Sequence, residues 1–105
     1  MIDEIRRKVS DGLYEFSKHA VDQSILRNIS LNELTESIAN GTIIEDYPDD
    51  KYGPSCLILG FTNADRPIHV QSSYPNRAML KVITLYEPDG NLWIEFRERR
   101  PANEG

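Results

Sequence analysis

Ser55-Cys56-Leu57-Ile58-Leu59-Gly60-Phe61-Thr62 decides the fold. This short, near-continuous apolar run is what a central strand covered on both faces requires. The chain turns after it at Asn63-Ala64-Asp65-Arg66-Pro67. The pattern then predicts a second strand over Ile68 to Tyr74, with Ile68 and Val70 on one face and His69 and Gln71 on the other. Pro75-Asn76-Arg77 is the next turn, and Met79 to Tyr86 the next strand. Simple alternation puts Leu80, Val82, Thr84 and Tyr86 on one face of that strand and Lys81, Ile83 and Leu85 on the other. Pro88 to Asn91 closes it, and Trp93-Ile94-Glu95-Phe96 adds a short strand or turn before a charged tail. Upstream of the central run, Thr42 to Tyr47 is β-branched and extended, and Pro48 to Pro54 is a charged, turn-rich loop.

The first forty residues have a different periodicity. Ile2, Ile5, Val9 and Leu13 recur at helical spacing, which predicts an amphipathic helix over 2–11 with Gly12 as its C′ glycine. Leu13 to Phe16 alternates like a short strand. Ser17 is placed to N-cap a helix over 18–27 that buries Val21 and Ile25. Ser30 and Glu33 form the S-x-x-E capping box of a third helix, with Ile29 as its staple. Leu31, Leu34 and Ile38 are the apolar stripe of that helix, and Gly41 ends it. Helices followed by closely connected strands predict an α+β domain: N-terminal helices on a four- or five-stranded antiparallel meander.

With 105 residues, 39% of them hydrophobic, the chain makes one domain, 1–105, with a single core. Residues 97–105 form a charged tail. Cys56 is the single cysteine, so neither a disulfide framework nor a cysteine-based zinc site is available. The charged N-terminus and the lack of a long apolar stretch predict a cytoplasmic protein without a membrane span. The net charge of −5 argues against a dedicated nucleic-acid binder. The charge is uneven, however: residues 1–50 carry −6 and residues 51–105 carry +1, with Arg97, Arg99 and Arg100 clustered near the end. A local cationic patch fits that distribution.

His19 and His69 are the only histidines and the first candidates for proton transfer near neutral pH. His19 lies at a predicted helix start, a favourable place for an anion, though a packing role fits equally. Arg27, eight residues on, is rotated about 80° from His19 on an ideal helix, yet its fork is long enough for a shared phosphate. A salt bridge to Glu33 or Glu36 is the plainer role for Arg27. His69 faces the open side of the sheet, as a site residue or as a hydrogen-bonded sheet histidine. Lys81, Thr84 and Tyr86 are candidates to stabilise a phosphorane or hold a ribose hydroxyl, and equally good strand residues. Arg97, Arg99 and Arg100 are candidate phosphate contacts. No metal-ligand spacing, glycine-rich phosphate loop or nucleophile elbow occurs.

The ordered set Tyr14-Glu15-Phe16-Ser17-Lys18-His19-Ala20, Arg27-Asn28-Ile29-Ser30, Gly41-Thr42-Ile43-Ile44-Glu45-Asp46-Tyr47-Pro48, Cys56-Leu57-Ile58-Leu59-Gly60, Pro67-Ile68-His69-Val70, Val82-Ile83-Thr84-Leu85-Tyr86-Glu87-Pro88 and Trp93 resembles a bacterial family, DUF4258. The resemblance covers residues 14–100 and leaves the helix before Gly12 outside it. The family is similar to the RelE/ParE-like toxin superfamily. That similarity implies a RelE-like fold, metal-independent RNA cleavage and a small zinc-finger antitoxin protein as partner. It assigns His19, His69 and Tyr86 to catalysis, and Arg27 and Thr84 to substrate. Lys81 and the three C-terminal arginines are weaker candidates. The expected function is therefore a toxin-like endoribonuclease of a toxin–antitoxin pair, working without cofactor or metal. The alternative is a non-catalytic interaction module of the same fold, as a homodimer or with a partner. Ribosome-dependent relatives are strongly basic, whereas this chain is acidic.

Overall fold

The computed structural model describes residues 1–101; residues 102–105, the end of the predicted tail, lie outside the described residues. Three helices come first: α1 (Ile2–Ser10), α2 (Lys18–Leu26) and α3 (Leu31–Ala39), with a short strand β1 (Tyr14–Phe16) between the first two. Then come β2 (Thr42–Tyr47), β3 (Ser55–Phe61), β4 (Pro67–Ser73) and β5 (Leu80–Tyr86), and a small hairpin of β6 (Trp93–Ile94) and β7 (Glu98–Arg99). The α+β class predicted from sequence is correct.

The main sheet has the order β1-β5-β4-β3-β2. Strands β2 to β5 form the expected antiparallel meander. The fifth strand corrects the all-antiparallel expectation, because β1 pairs parallel with β5, Glu15 opposite Lys81. The reason is connectivity. A tight hairpin forces reversal, whereas β1 and β5 are joined through two helices and three strands, and a long connection permits a parallel pair.

The helices cover one face of the sheet. Their core joins Ile5, Val9, Ala20, Ile29, Leu34 and Ile38 to sheet residues such as Ile58, Ile68, Val70 and Leu85. β3 is buried along nearly its whole length, as its composition requires. The close approach of α3 depends on Gly60, where an added Cβ would lie 1.8 Å from the Ser37 carbonyl oxygen.

The predicted caps are present. Ser17 Oγ accepts from Ala20 N–H, and Ser30 with Glu33 completes both arms of the capping box. Gly12, at φ +73°, follows α1 in the left-handed conformation a C′ glycine supplies.

Two packing expectations are overturned. Val21 and Ile25 are exposed, Ile25 at 75%, and Ala20 is the buried residue of α2. The phase of α2 is set by β1: Ser17 N–H bonds Val82 O and Ser17 Oγ donates to Ile83 O, which turns Ala20 inward. Leu31 is likewise exposed, while Leu34 and Ile38 carry the stripe of α3 as expected. Leu13 lies outside α1, and its carbonyl accepts from Leu80 N–H.

Candidate functional site

The sheet face away from the helices is the open face, and a bulge decides what it displays. Gln71 pairs with Thr84, but the next residue of β4, Ser72, pairs with Val82, so Ile83 is an extra residue in β5. Simple alternation therefore fails in β5. Leu80, Val82 and Leu85 point into the helix-side core, and Thr84 and Tyr86 lie opposite Gln71 and His69 on the open face. This corrects the predicted sharing of one face by Leu80, Val82, Thr84 and Tyr86. A second bulge, at Ile44, brings Glu45 into register with Leu57, on the open-face side of β3.

His69 sits at one end of this face and is 0% exposed. Its Nε2 lies 2.7 Å from the Phe96 carbonyl oxygen, which can only accept, so Nε2 carries the proton. Nδ1, 3.2 Å from the Tyr86 hydroxyl, is then the acceptor of that O–H. Trp93 packs edge-on against the imidazole, ring centroids 4.5 Å apart at 89°. Burial pushes the His69 pKa below its ordinary 6.5; the Phe96 carbonyl and Glu45 act the other way and do not cancel it. The imidazole is neutral at pH 7, and both nitrogens are engaged.

The cover over His69 is the β6–β7 hairpin. Arg99 donates to both Glu45 oxygens, at 2.9 and 3.1 Å, and its guanidinium lies 4.7 Å from the Trp93 ring centroid. Burial pushes Glu45 up, but the Arg99 bonds and the Tyr47 hydroxyl outweigh it and hold the carboxyl below the usual range. Burial and the Glu45 bond push Tyr47 up to about 12. The turn of the hairpin holds Glu95 at φ +51° and Phe96 at φ +63°, closed by an Arg97 N–H to Ile94 O bond. Left-handed non-glycine residues are strained by about 1–2 kcal/mol each. That strained turn aims the Phe96 carbonyl at His69.

A cleft of about 350 Å³ opens at the other end of the same face. Its walls include Ser17, Asp50, Tyr52, Arg77, Lys81 and Ile83. Asp50 is held by Ser55 Oγ–H at 3.1 Å and Tyr52 N–H at 3.2 Å, with Gln71 donating to Ser55 from behind. Tyr52 is 85% exposed, with Lys51 Nζ 5.0 Å from its ring centroid. Among the described residues, the side-chain nitrogens of Arg77 and Lys81 make no hydrogen bond or ion pair. Five residues of strand separate Lys81 from Tyr86, roughly 16 Å, so Lys81 does not serve His69.

The structure thus brings together His69, Tyr86 and Arg99 of the residues singled out from sequence. Thr84 is on the same face, and Lys81 lies in the separate cleft. His19 does not join them. It lies exposed in the first turn of α2, whose Ala20 is in the helix-side core, so the sheet separates the two imidazoles. Arg27 caps α2, bonds Gln23 at 3.2 Å and gives its carbonyl to Arg66. The salt bridge expected from Arg27 to Glu33 is made by Arg66. Arg97 bonds Thr42 and Arg100 bonds Gly90 O. Asp50, Tyr52 and Arg77 were not singled out from sequence. The meander contains the signal: the β2–β3 and β4–β5 loops fall at one end of the sheet, beside the start of β5 and Lys81.

Among the described residues no helix is long and apolar enough to cross a membrane, and no three His, Cys, Asp or Glu side chains converge as a metal site. Neither the curated proteins nor the solved structures contain a match to this chain. The family model described as "Domain of unknown function (DUF4258)" matches residues 16–87, from the end of β1 to just past β5. That span covers more than half of the sequence and leaves out α1 and the β6–β7 hairpin; the chain belongs to the DUF4258 family.

Proposed function

We propose that this domain is a toxin-like, metal-independent endoribonuclease that takes single-stranded RNA into the Lys81 cleft. The observation that carries this reading is the pairing of two uncommitted cations, Arg77 and Lys81, with a largely exposed tyrosine in one concave site. Single-stranded RNA is held by this combination: cations on phosphate and an aromatic face for an unstacked base. The overall acidity is compatible with it, because Lys51, Arg77 and Lys81 all belong to the more basic half of the chain.

The chemistry follows from the positions. Asp50, oriented by Ser55 and the Tyr52 amide, takes the proton of a ribose 2′-hydroxyl. The 2′-oxygen bonds to phosphorus and the bond to the 5′-oxygen breaks. Arg77 stabilises the phosphorane, and Lys81 gives a proton to the departing 5′-oxygen. The products are a 2′,3′-cyclic phosphate and a 5′-hydroxyl. His69, with both nitrogens occupied, and His19, on the other side of the sheet, take no part.

The test is cleavage of end-labelled single-stranded RNA in EDTA, read with a binding assay. Cyclic-phosphate ends are expected from the wild type, with Lys81→Ala slower by about 10²-fold and His19→Ala unchanged. Intact RNA and no binding by the wild type would remove the proposal. A second reading, a protein-interaction module, is favoured by the exposed apolar residues Val21, Ile25, Leu26 and Leu31 on α2 and the start of α3. A small antitoxin or a second copy of the chain would cover them, and Ile25→Glu should then abolish the complex in light scattering.

A further inference from the structure

We propose that the β6–β7 hairpin is a releasable latch on the open sheet face, closed by His69 and opened by its protonation, and that its release extends the RNA cleft along β5. The regulatory half rests on the RNA reading of the cleft; the latch itself does not. The hairpin has two residues in each strand, too few to be stable alone. It stays on the sheet through a few contacts: His69 N–H to Phe96 O, Trp93 against His69, Arg99 on Glu45 and Arg97 on Thr42. His69 is central to them, fully buried, and able to change charge near neutral pH.

The groups facing His69 determine what protonation does. From β5, the Tyr86 hydroxyl donates to Nδ1; when Nδ1 gains a proton that donation ends and the phenolic oxygen has to turn and accept instead. From β7, Arg99 opposes a second positive charge; from β2, Glu45 favours it, with Tyr47 hydrogen-bonded to Glu45. Trp93 of β6 adds no charge and packs edge-on against the imidazole. Burial is the largest effect, so the docked imidazole has a pKa below 6.5 and the docked state binds fewer protons than the released one. The sign follows: docking is fully favourable above about 6.5 and weakens as pH falls from there toward the lowered pKa. Release would free Arg97 and Arg99 from their acceptors and uncover Tyr86 beside Thr84, at the far end of the face that holds the cleft.

Trp93 is the only tryptophan, so its emission and acrylamide quenching report on the latch directly. Between pH 8 and pH 5 the wild type should show a red shift and a gain in quenching, with a midpoint below 6.5, while far-UV circular dichroism stays constant. His69→Gln offers an N–H to Phe96 O and an oxygen to Tyr86 without titrating, so its emission should stay flat. Arg99→Ala should read as released at every pH. Identical titrations of wild type and His69→Gln, or loss of helical signal together with the tryptophan change, would overturn the latch. RNA affinity should rise roughly tenfold in the wild type over the same range, beyond any rise in His69→Gln, as freed arginines reach phosphates. A latch that opens with no such difference, in a wild type that binds RNA, would overturn its regulatory role. Absence of RNA binding at every pH would remove the RNA reading, and the fluorescence would still judge the latch.

Discussion

Arg66 ties three parts of the chain together with one guanidinium. It donates to the carbonyls of Arg27 and Asn28 at the end of α2, to Glu33 in the capping box of α3, and to Glu87 after β5. The Ser30 backbone bond and Arg66 hold the Glu33 carboxyl below its usual range, against a raising effect of burial. Asn28, at φ +55°, gives its carbonyl to this cap. Removing the guanidinium strands acceptors that a solvated surface pair would not. Arg66→Ala should therefore lower stability by about 1.5–3 kcal/mol, the range for hydrogen bonds to charged groups, read as a shift of the urea midpoint. A change below about 0.5 kcal/mol would make Arg66 an ordinary surface ion pair. Arg66 reads from sequence as an unremarked turn residue, because all four acceptors are distant along the chain.

Between elements, the contact of α3 with β3 is decided by the absence of a side chain. Gly60 lets the Ser37 backbone rest on the strand, and Ser37 is small and fully buried. Gly60→Ala would drive a Cβ to 1.8 Å from a carbonyl oxygen that belongs to a helix backbone and cannot swing aside. The expected loss is about 3 kcal/mol, at the upper end for overpacking, seen as a fall in thermal midpoint or a failure to accumulate folded protein. Near wild-type melting would mean that α3 slides freely on the sheet. The bulge at Ile83 acts at the same scale. Its carbonyl is taken by Ser17, which also caps α2, so one hydroxyl couples the start of a helix to the face exchange in β5. That exchange is what places Tyr86 against His69.

Across the whole molecule the charge of −5 sets the conditions for any polyanion. RNA must meet a local patch against an unfavourable overall field, so binding should be weak and strongly localised. If Arg77 and Lys81 neutralise two phosphates of a single strand, log affinity should fall against log salt with a slope of about −1.4. Either single alanine variant should halve that slope. A slope steeper than about −4 would point to a broad basic surface elsewhere and against this cleft. The two ends of the open face differ in how their charges are paired. One is a cleft whose Arg77 and Lys81 side chains are unpaired among the described residues, and the other is a closed cluster in which Glu45 and Arg99 are paired and Arg97 bonds Thr42.

Local chemistry is what the sequence determined by itself. The capping residues Ser17 and Ser30, the stripe of α3, the buried run of β3 and the α+β order all depend on neighbours within a few residues. His69, Tyr86 and Arg99 could be named as candidates from residue type, but not the carbonyl and the tryptophan that close over them. Tertiary structure alone decided the parallel pairing of β1, the phase of α2, the exchange of faces in β5 and the separation of His19 from His69. Each of these depends on groups brought together across long stretches of chain, where one extra residue in a strand reverses every side chain beyond it.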